Sequence, residues 1–169
     1  ISKKDHSEKV KEVVNQLIKK RFIEGKEHSF EYRPWGKFEN LLKDNYCKVK
    51  KIIVSPGKRL SLQYHNIKEE TIRVVKGRLY VEFHRLNEGG HSVIEYYVLR
   101  EGECIHVPPK QVHRFYAEAG PVDIIEVSTP ELDDVVRLAD KYGRGPSLDD
   151  TEAVWKKMKE DMPYTGPVS

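Results

Sequence analysis

The stretch "SLQYHNIKEETIRVVKG" (residues 61–77) places polar side chains where a strand would otherwise bury apolar ones. Gln63 and His65 are two residues apart, so they point to the same face of an alternating strand. Glu70 starts the next strand, across a short turn at residues 66–68. An amide, an imidazole and a carboxylate on one side make a poor apolar core but a suitable set of metal ligands. The stretch therefore predicts a metal site within a β-structure.

Short apolar runs separated by turn signals extend on both sides of this stretch, from residue 48 to residue 127. Ser55-Pro56-Gly57 and Gly120-Pro121 are examples of these turn signals. Seven or eight short strands at this spacing predict an antiparallel sandwich or barrel. The candidate strands are residues 47–54, 60–65, 71–75, 78–84, 92–99, 104–107, 113–118 and 122–127.

Both ends of the chain are expected to be helical. Residues 5–21 carry apolar side chains at helical spacing, and residues 24–36 are interpreted as a connector. Past Thr129-Pro130 the chain is expected to turn helical again, with an amphipathic helix in residues 147–162. We expect a helical connector or arm at residues 1–30, a barrel domain at 31–145, and a C-terminal helix and tail at 146–169.

Composition excludes several classes of protein. With 169 residues the chain is long enough for one domain with a core, and its net charge of +3 argues against a nucleic-acid partner. No apolar run is long enough to span a bilayer and no signal peptide is present, which argues against a membrane partner. Cys47 and Cys104 are interpreted as buried free thiols of a cytoplasmic protein. Since the first residue is Ile, we interpret the chain as a fragment or domain of a longer protein.

Two spaced motifs resemble those of the cupin superfamily. Residues 57–77 read G-x5-Q-x-H-x4-E-x6-G, and residues 102–113 read G-x5-P-x4-H. Gln63 stands where the cupin pattern has its first histidine, Lys110 replaces the second-motif glycine, and Ala117 replaces the final asparagine. The resemblance implies an all-β core, a cupin-type antiparallel jelly-roll barrel, flanked here by the N- and C-terminal helices.

In a jelly roll, four of these residues can converge as metal ligands: Gln63, His65, Glu70 and His113. This mixed nitrogen and oxygen set suits one divalent cation such as zinc, manganese, iron, cobalt or nickel. A single anionic ligand leaves the site net positive, as a Lewis acid requires.

Four blocks narrow the resemblance to the type II phosphomannose isomerase family. They are "YRPWGKFENL" (32–41), "VSPGKRLSLQYH" (54–65), "VPPKQVHRF" (107–115) and "DDVVRLADKYGR" (133–144). Residues 3–17 are similar to the connector that follows a mannose-1-phosphate guanylyltransferase domain in bifunctional members. The resemblance implies a metal-dependent enzyme of nucleotide-sugar biosynthesis that interconverts mannose 6-phosphate and fructose 6-phosphate through a cis-enediol.

The chain departs from that family beside the predicted ligands. Asn66, Ile67, Thr71 and Ile72 stand where family members often carry further histidines and a His-Trp pair. These substitutions predict a different pocket wall, and hence a sugar other than mannose 6-phosphate as an alternative substrate.

The implied isomerisation needs a general base and cationic side chains that bind the phosphate group. Glu126, on a strand that ends at a Thr-Pro break, is the candidate base. Arg114 is a second catalytic candidate, although its position next to His113 equally predicts a rim salt bridge. The candidate phosphate ligands are Lys58, Arg59 and Lys110. Arg33, Asp134, Arg137 and Arg144 are interpreted as structural pairs that lock connectors to the barrel.

Two other functions remain open on the same scaffold, because cupin barrels host many activities. One is a metal-dependent isomerase or epimerase of another sugar or sugar phosphate. The other is a non-catalytic sugar-binding or regulatory cupin. The expected partner is a second copy of the chain, since small barrels of this type often dimerise through edge strands. Residues 28–40 could form an arm that crosses to that copy.

Overall fold

A computed structural model describes residues 30–89, 91–131 and 134–144, together with Lys156, Met158 and Glu160. The first three ranges form two antiparallel sheets, which confirms the all-β expectation. One sheet has the order β1-β2-β3-β10-β5-β8, and the other has the order β11-β4-β9-β6-β7. The strands are β1 (Phe30–Arg33), β2 (Gly36–Lys43), β3 (Lys48–Val54), β4 (Leu62–His65), β5 (Glu70–Lys76), β6 (Leu79–Leu86), β7 (Ser92–Leu99), β8 (Cys104–Val107), β9 (Val112–Tyr116), β10 (Val122–Ser128) and β11 (Val135–Ala139).

The inner face of the first sheet changes from apolar to polar along its strands. On β10, Val122 and Ile124 are fully buried, and the same face continues with the buried Glu126 and Ser128. Strand pairing extends this change across neighbouring strands, so the barrel has an apolar part and a polar part. From the apolar core towards the polar end, the cross-strand rows are Ile52–Ile124–Val74, then Lys50–Glu126–Ile72, then Lys48–Ser128–Glu70.

A second apolar cluster involves the other sheet and the C-terminal segment. The three described residues of that segment, Lys156, Met158 and Glu160, have helical backbone. Met158 is only 2% exposed. The cluster consists of Leu62, Tyr64, Val112, Leu138, Ala139 and Met158. The helix predicted at residues 5–21 and the bounds of the C-terminal helix lie outside the described residues. No helix in the described part of the chain has the length and apolar character needed to cross a bilayer.

Two segments form strands where the sequence predicted a helix and a connector. The chain does not turn helical directly after Thr129-Pro130, because β11 pairs with β4 and buries Leu138 and Ala139. Residues 30–40 form β1 and part of β2, and β2 pairs along its length with β3 of the same chain. β2 is thus paired on both sides, whereas β1 is an edge strand of the sheet and pairs only with β2 among the described strands. The homodimer itself stays a prediction.

The environment of the two cysteines differs from the prediction. Both thiols are free, as expected, but Cys104 is exposed and Cys47 is only partly buried. Cys104 begins β8, which is an edge strand of the six-stranded sheet, and no further strand of the described residues pairs with that edge.

The turn "RPWG" places an aromatic wall against the barrel interior. Arg33 and Gly36 pair across the hairpin, and the buried Trp35 stacks on Phe38 with ring centroids 6.4 Å apart. Gly36 has a φ of +148°, and a Cβ at this position would lie 2.0 Å from the carbonyl oxygen of Ile53. Only glycine therefore fits where the hairpin approaches β3.

A matched pair of glycine substitutions tests this close approach. Gly57 also has a positive φ, +68°, but a Cβ there would meet nothing within 4 Å. Gly57→Ala should therefore reduce the free energy of unfolding by only about 1 kcal/mol, for backbone strain. Gly36→Ala should reduce it by at least about 3 kcal/mol, because a steric clash adds to the strain. Urea denaturation measures both, and equal losses would contradict the packing described for the hairpin.

Candidate functional site

Three predicted ligands meet in the polar part of the barrel. His65 ends β4, Glu70 begins β5 and His113 lies on β9. One ligand atom from each residue lies within 4.8 Å of the other two. Nε2 of His65 is 3.1 Å from Oε1 of Glu70, and Nε2 of His113 is 3.8 Å from Oε2 of Glu70. All three side chains are buried, so the barrel delivers two imidazoles and a carboxylate to one point.

The hydrogen bonding of His113 leaves its Nε2 atom able to bind a cation. Its Nδ1 lies 2.9 Å from the carbonyl oxygen of Gln111. A carbonyl only accepts, so Nδ1 carries the proton and Nε2 presents a lone pair. Nε2 is buried without a hydrogen-bond partner among the described residues. Burial also lowers the pKa of His113 against the opposing effect of Glu70, which favours the neutral imidazole that a metal requires.

His65 and Gln63 complete the predicted set on β4. Both ring nitrogens of His65 are buried: Nδ1 has no hydrogen-bond partner in the described part of the chain, and Nε2 lies 3.1 Å from Oε1 of Glu70. The backbone of Gln63 pairs with that of His113 on the neighbouring strand. Oε1 of Gln63 accepts a hydrogen bond of 2.8 Å from the Ser61 hydroxyl. An amide oxygen has a second lone pair, so this bond leaves Gln63 able to coordinate.

Lys68 is a member of the site that the sequence did not predict. It is 6% exposed, and its ammonium donates to Oε1 of Glu70 and, over 3.0 Å, to Oε1 of Glu126. Burial acts to lower the pKa of Lys68, but Glu126 and then Glu70 outweigh it and raise that pKa. Burial likewise acts to raise the pKa of Glu70, while His65, His113 and Lys68 lower it below its usual range. Lys68 is therefore an ammonium beside a carboxylate.

Asp134 holds the turn that carries Lys68. Its carboxylate accepts hydrogen bonds from the backbone N–H groups of Asn66, Ile67 and Lys68, at 3.0, 2.7 and 2.8 Å. The turn joins β4 to β5, so this clasp fixes His65 relative to Glu70. Asp134 thus has the connector-locking role predicted for it, although its partners are backbone groups rather than a charged side chain.

The candidate base Glu126 lines the same cavity as Gln63, His65, Lys68 and Glu70, a space of about 200 Å³. Oε1 of Glu126 accepts from Lys68 and, at 2.9 Å, from Lys50. Both ammonium contacts fall on one oxygen, so Oε2 is the atom of Glu126 that could take a proton.

The remaining predicted site residues lie away from this cavity. Arg114 is on β9 next to His113 but faces the opposite side, where its guanidinium is 3.6 Å from Glu82. Arg59 lies over the ring of Tyr116, 5.8 Å from the ring centroid. Lys110 donates to the side chain of Asn66. Neither these three residues nor the exposed Lys58 are among those that line the cavity.

The four substituted positions do not alter the cavity wall. Asn66, Ile67 and Thr71 are exposed, and Ile72 is fully buried in the apolar core. None of them lines the cavity, so the prediction of a different wall at these positions is wrong. The alternation of β5 turns Thr71 outward and places Ile72 in the apolar core, while Asn66 and Ile67 lie on the exposed turn before β5.

Comparison with known proteins identifies the family of the chain. A family described as "Mannose-6-phosphate isomerase C-terminal" matches residues 23–140. The chain belongs to this family. It is 36% identical over 149 residues to the alginate biosynthesis protein AlgA of Pseudomonas aeruginosa, covering 85% of this chain and 29% of that protein. It is 37% identical over 139 residues to a mannose-1-phosphate guanylyltransferase of Escherichia coli, covering 80% of this chain and 27% of that protein. The chain thus spans less than a third of these relatives.

Solved structures share the fold. The capsular polysaccharide assembling protein CapF of Staphylococcus aureus superposes with a TM-score of 0.58 at 20% identity, over 64% of this chain and 32% of that chain. A cupin-2 domain from Rhodospirillum rubrum superposes with a TM-score of 0.51 at 17% identity, over 62% of this chain and 66% of that chain. At identities this low, the superpositions bear on the fold alone, and they confirm a cupin-type barrel.

Removing one imidazole tests the predicted ligand set. His65→Ala or His113→Ala should abolish stoichiometric binding of a divalent metal, because each removes an inward-facing nitrogen while the strands remain paired. Elemental analysis after metal loading and dialysis measures the effect, and circular dichroism checks the fold.

The matched control is His106→Ala, at an exposed histidine of β8 outside the cluster. It should bind metal like the unmodified chain. Full metal content in the folded His113→Ala variant would contradict the assignment.

Proposed function

We propose that this chain is a metal-dependent aldose–ketose isomerase that interconverts mannose 6-phosphate and fructose 6-phosphate through a cis-enediol. The observation that carries the proposal is the convergence of His65, Glu70 and His113 in the barrel that Glu126 also faces. The family's description supports the choice of substrate.

The residues present fit a divalent cation. Gln63, His65, Glu70 and His113 would hold it, with the unpartnered Nε2 of His113 and the nitrogens of His65 as the clearest donors. When bound, such a cation polarises the sugar carbonyl and lowers the cost of the negative charge that develops on the neighbouring oxygens. Lys68 engages Oε1 of Glu70, so Oε2, which faces His113, remains as the carboxylate donor.

Glu126 would move the proton between carbon atoms. In the forward direction Oε2 takes the proton from C2 of the open-chain aldose, which gives the enediolate. The proton of the C2 hydroxyl then moves to the C1 oxygen, and the same carboxyl returns its proton to C1, which gives the ketose. Lys50 and Lys68 hold Oε1 through this exchange and so keep the carboxylate aimed into the cavity.

Glu126→Gln tests this role because it keeps the shape of the side chain and removes its basicity. On the metal-loaded chain, kcat should fall by about 10²–10⁴-fold, the usual effect of losing a general base. Exchange of the C2 proton of mannose 6-phosphate with solvent, followed by NMR in D₂O, should disappear with it. The metal content should not change.

The matched control is Asp123→Asn, on the same strand and with its carboxylate 3.9 Å from Lys51, outside the cavity. It should keep normal turnover. Normal kcat and normal proton exchange in Glu126→Gln would show that Glu126 has a structural role.

A non-catalytic sugar-binding cupin is the second candidate, and Lys68 is the observation that favours it. A buried ammonium between Glu70 and Glu126 already compensates both carboxylates without a metal. This function would leave the purified chain free of tightly bound metal and unable to exchange the C2 proton, although it still binds a sugar phosphate. Stoichiometric metal together with isomerase turnover would exclude it.

A further inference from the structure

The cavity that holds the candidate site carries an excess of positive charge. Its lining includes six cationic side chains and three carboxylates. The carboxylates are Glu70, Glu126 and Glu131, and the cations are Arg33, Lys48, Lys50, Lys68, Arg137 and Arg144. A small cavity with this balance favours an anionic ligand over a neutral one.

Four of the six cations are engaged by carboxylates. Lys50 and Lys68 contact Glu126. Arg33 pairs with Glu31 at 2.6 Å, and Arg144 donates to both carboxylate oxygens of Asp140 at 2.9 and 3.0 Å. These four cations are therefore already compensated. Of the three lining carboxylates, Glu131 forms no ion pair among the described residues, so two cations and one carboxylate remain unpaired and the remainder is still positive.

Lys48 and Arg137 form no ion pair within the described residues, although both line the cavity. Nε of Arg137 is buried and lacks a hydrogen-bond partner there, which leaves a guanidinium donor unsatisfied. Arg137 belongs to β11, where it pairs with Gln63 in register, and Lys48 belongs to β3 in the other sheet. The two cations thus approach the cavity from different sheets.

The surroundings of Lys48 also favour an added negative charge. Burial, followed by the nearby ammonium of Lys50, lowers the pKa of Lys48 against the opposing effect of Glu126. On its row Lys48 is two strands from Glu70, with Ser128 between them. Two strand spacings separate their backbones by about 10 Å, which leaves room for the body of a ligand between them.

We propose that Lys48 and Arg137 form the subsite that binds the phosphate group of the substrate. This identity of the ligand rests on the proposed function, whereas the anion subsite itself rests on the two uncompensated cations. A phosphate between them would accept from the buried Nε and the other guanidinium nitrogens of Arg137 and from the ammonium of Lys48. The sugar carbons would then extend towards His65, Glu70 and Glu126. This assignment differs from the rim cations Lys58, Arg59 and Lys110, which do not line the cavity.

Calorimetric titration of the full chain, loaded with metal, tests the subsite. The probes are inorganic phosphate, mannose 6-phosphate and mannose. Lys48→Met and Arg137→Gln should each weaken binding of the two phosphate-bearing probes by about tenfold to a hundredfold, the effect of losing a charge-assisted contact. Binding of mannose should be unchanged, because mannose carries no phosphate. Arg137→Lys keeps the charge and should recover part of the affinity.

The matched control for Lys48→Met is Lys51→Met, on the same strand. Lys51 lies 3.9 Å from Asp123 and does not line the cavity, so its removal should leave binding unchanged. Lys58→Met, Arg59→Gln and Lys110→Met test the rim in parallel. Unfolding midpoints compared with that of the unmodified chain verify that each variant is folded.

The outcomes separate the subsite from the activity. If the unmodified chain binds phosphate through Lys48 and Arg137 but does not turn over mannose 6-phosphate, the proposed function fails and the subsite stands. If turnover is normal and folded Lys48→Met and Arg137→Gln keep normal affinity and normal KM, the subsite is overturned and the function stands. Loss of phosphate binding only in the rim variants, or no phosphate binding by the unmodified chain, would also overturn it.

Discussion

The burial of the Glu70 carboxylate is the constraint on which the site depends. A carboxylate that is 3% exposed inside a barrel is tolerated only if nearby groups compensate its charge. The ammonium of Lys68 supplies that compensation, and Nε2 of His65 lies 3.1 Å from the same carboxylate. Removing Lys68 would leave Glu70 as an incompletely paired buried charge. The same concentration of lone pairs and charge makes this the place in the barrel where a cation could bind.

Strand pairing and one loop clasp bring those residues together. The register of β3, β10 and β5 stacks an apolar row, a mixed row and a polar row, so the core supports the charged cluster directly. Asp134 ties the β4–β5 turn through three backbone N–H groups, and this turn separates His65 from Glu70. The clasp thus satisfies three backbone N–H groups of the turn and at the same time fixes the geometry of the site.

The charges that line the cavity indicate which class of ligand would fit beside the His65–Glu70–His113 cluster. Glu70 and Glu126 are neutralised within the barrel by Lys68 and Lys50, and the charged lining residues left without an ion pair among the described residues are Lys48, Arg137 and Glu131. An apolar or neutral sugar would leave the two cations without partners, whereas a sugar phosphate would supply them. The fold alone favours no particular ligand, since cupin barrels serve many functions. The pairing of the lining residues is what supports the proposed sugar phosphate.

Much of the barrel and its ligand candidates could be predicted from local pattern. Alternation in residues 61–77 indicated that Gln63 and His65 share a face, because a strand's period of two is a local property. The strands β7 and β8 also have the predicted bounds. Tertiary structure decided the rest. β11 is a strand because β4 offers it an edge, and Lys68 enters the site because Asp134, 66 residues away, folds the turn inward. Which cations lack a partner, as Lys48 and Arg137 do, depends on distances between strands far apart in the chain. Spacing along the chain contains no information on those distances.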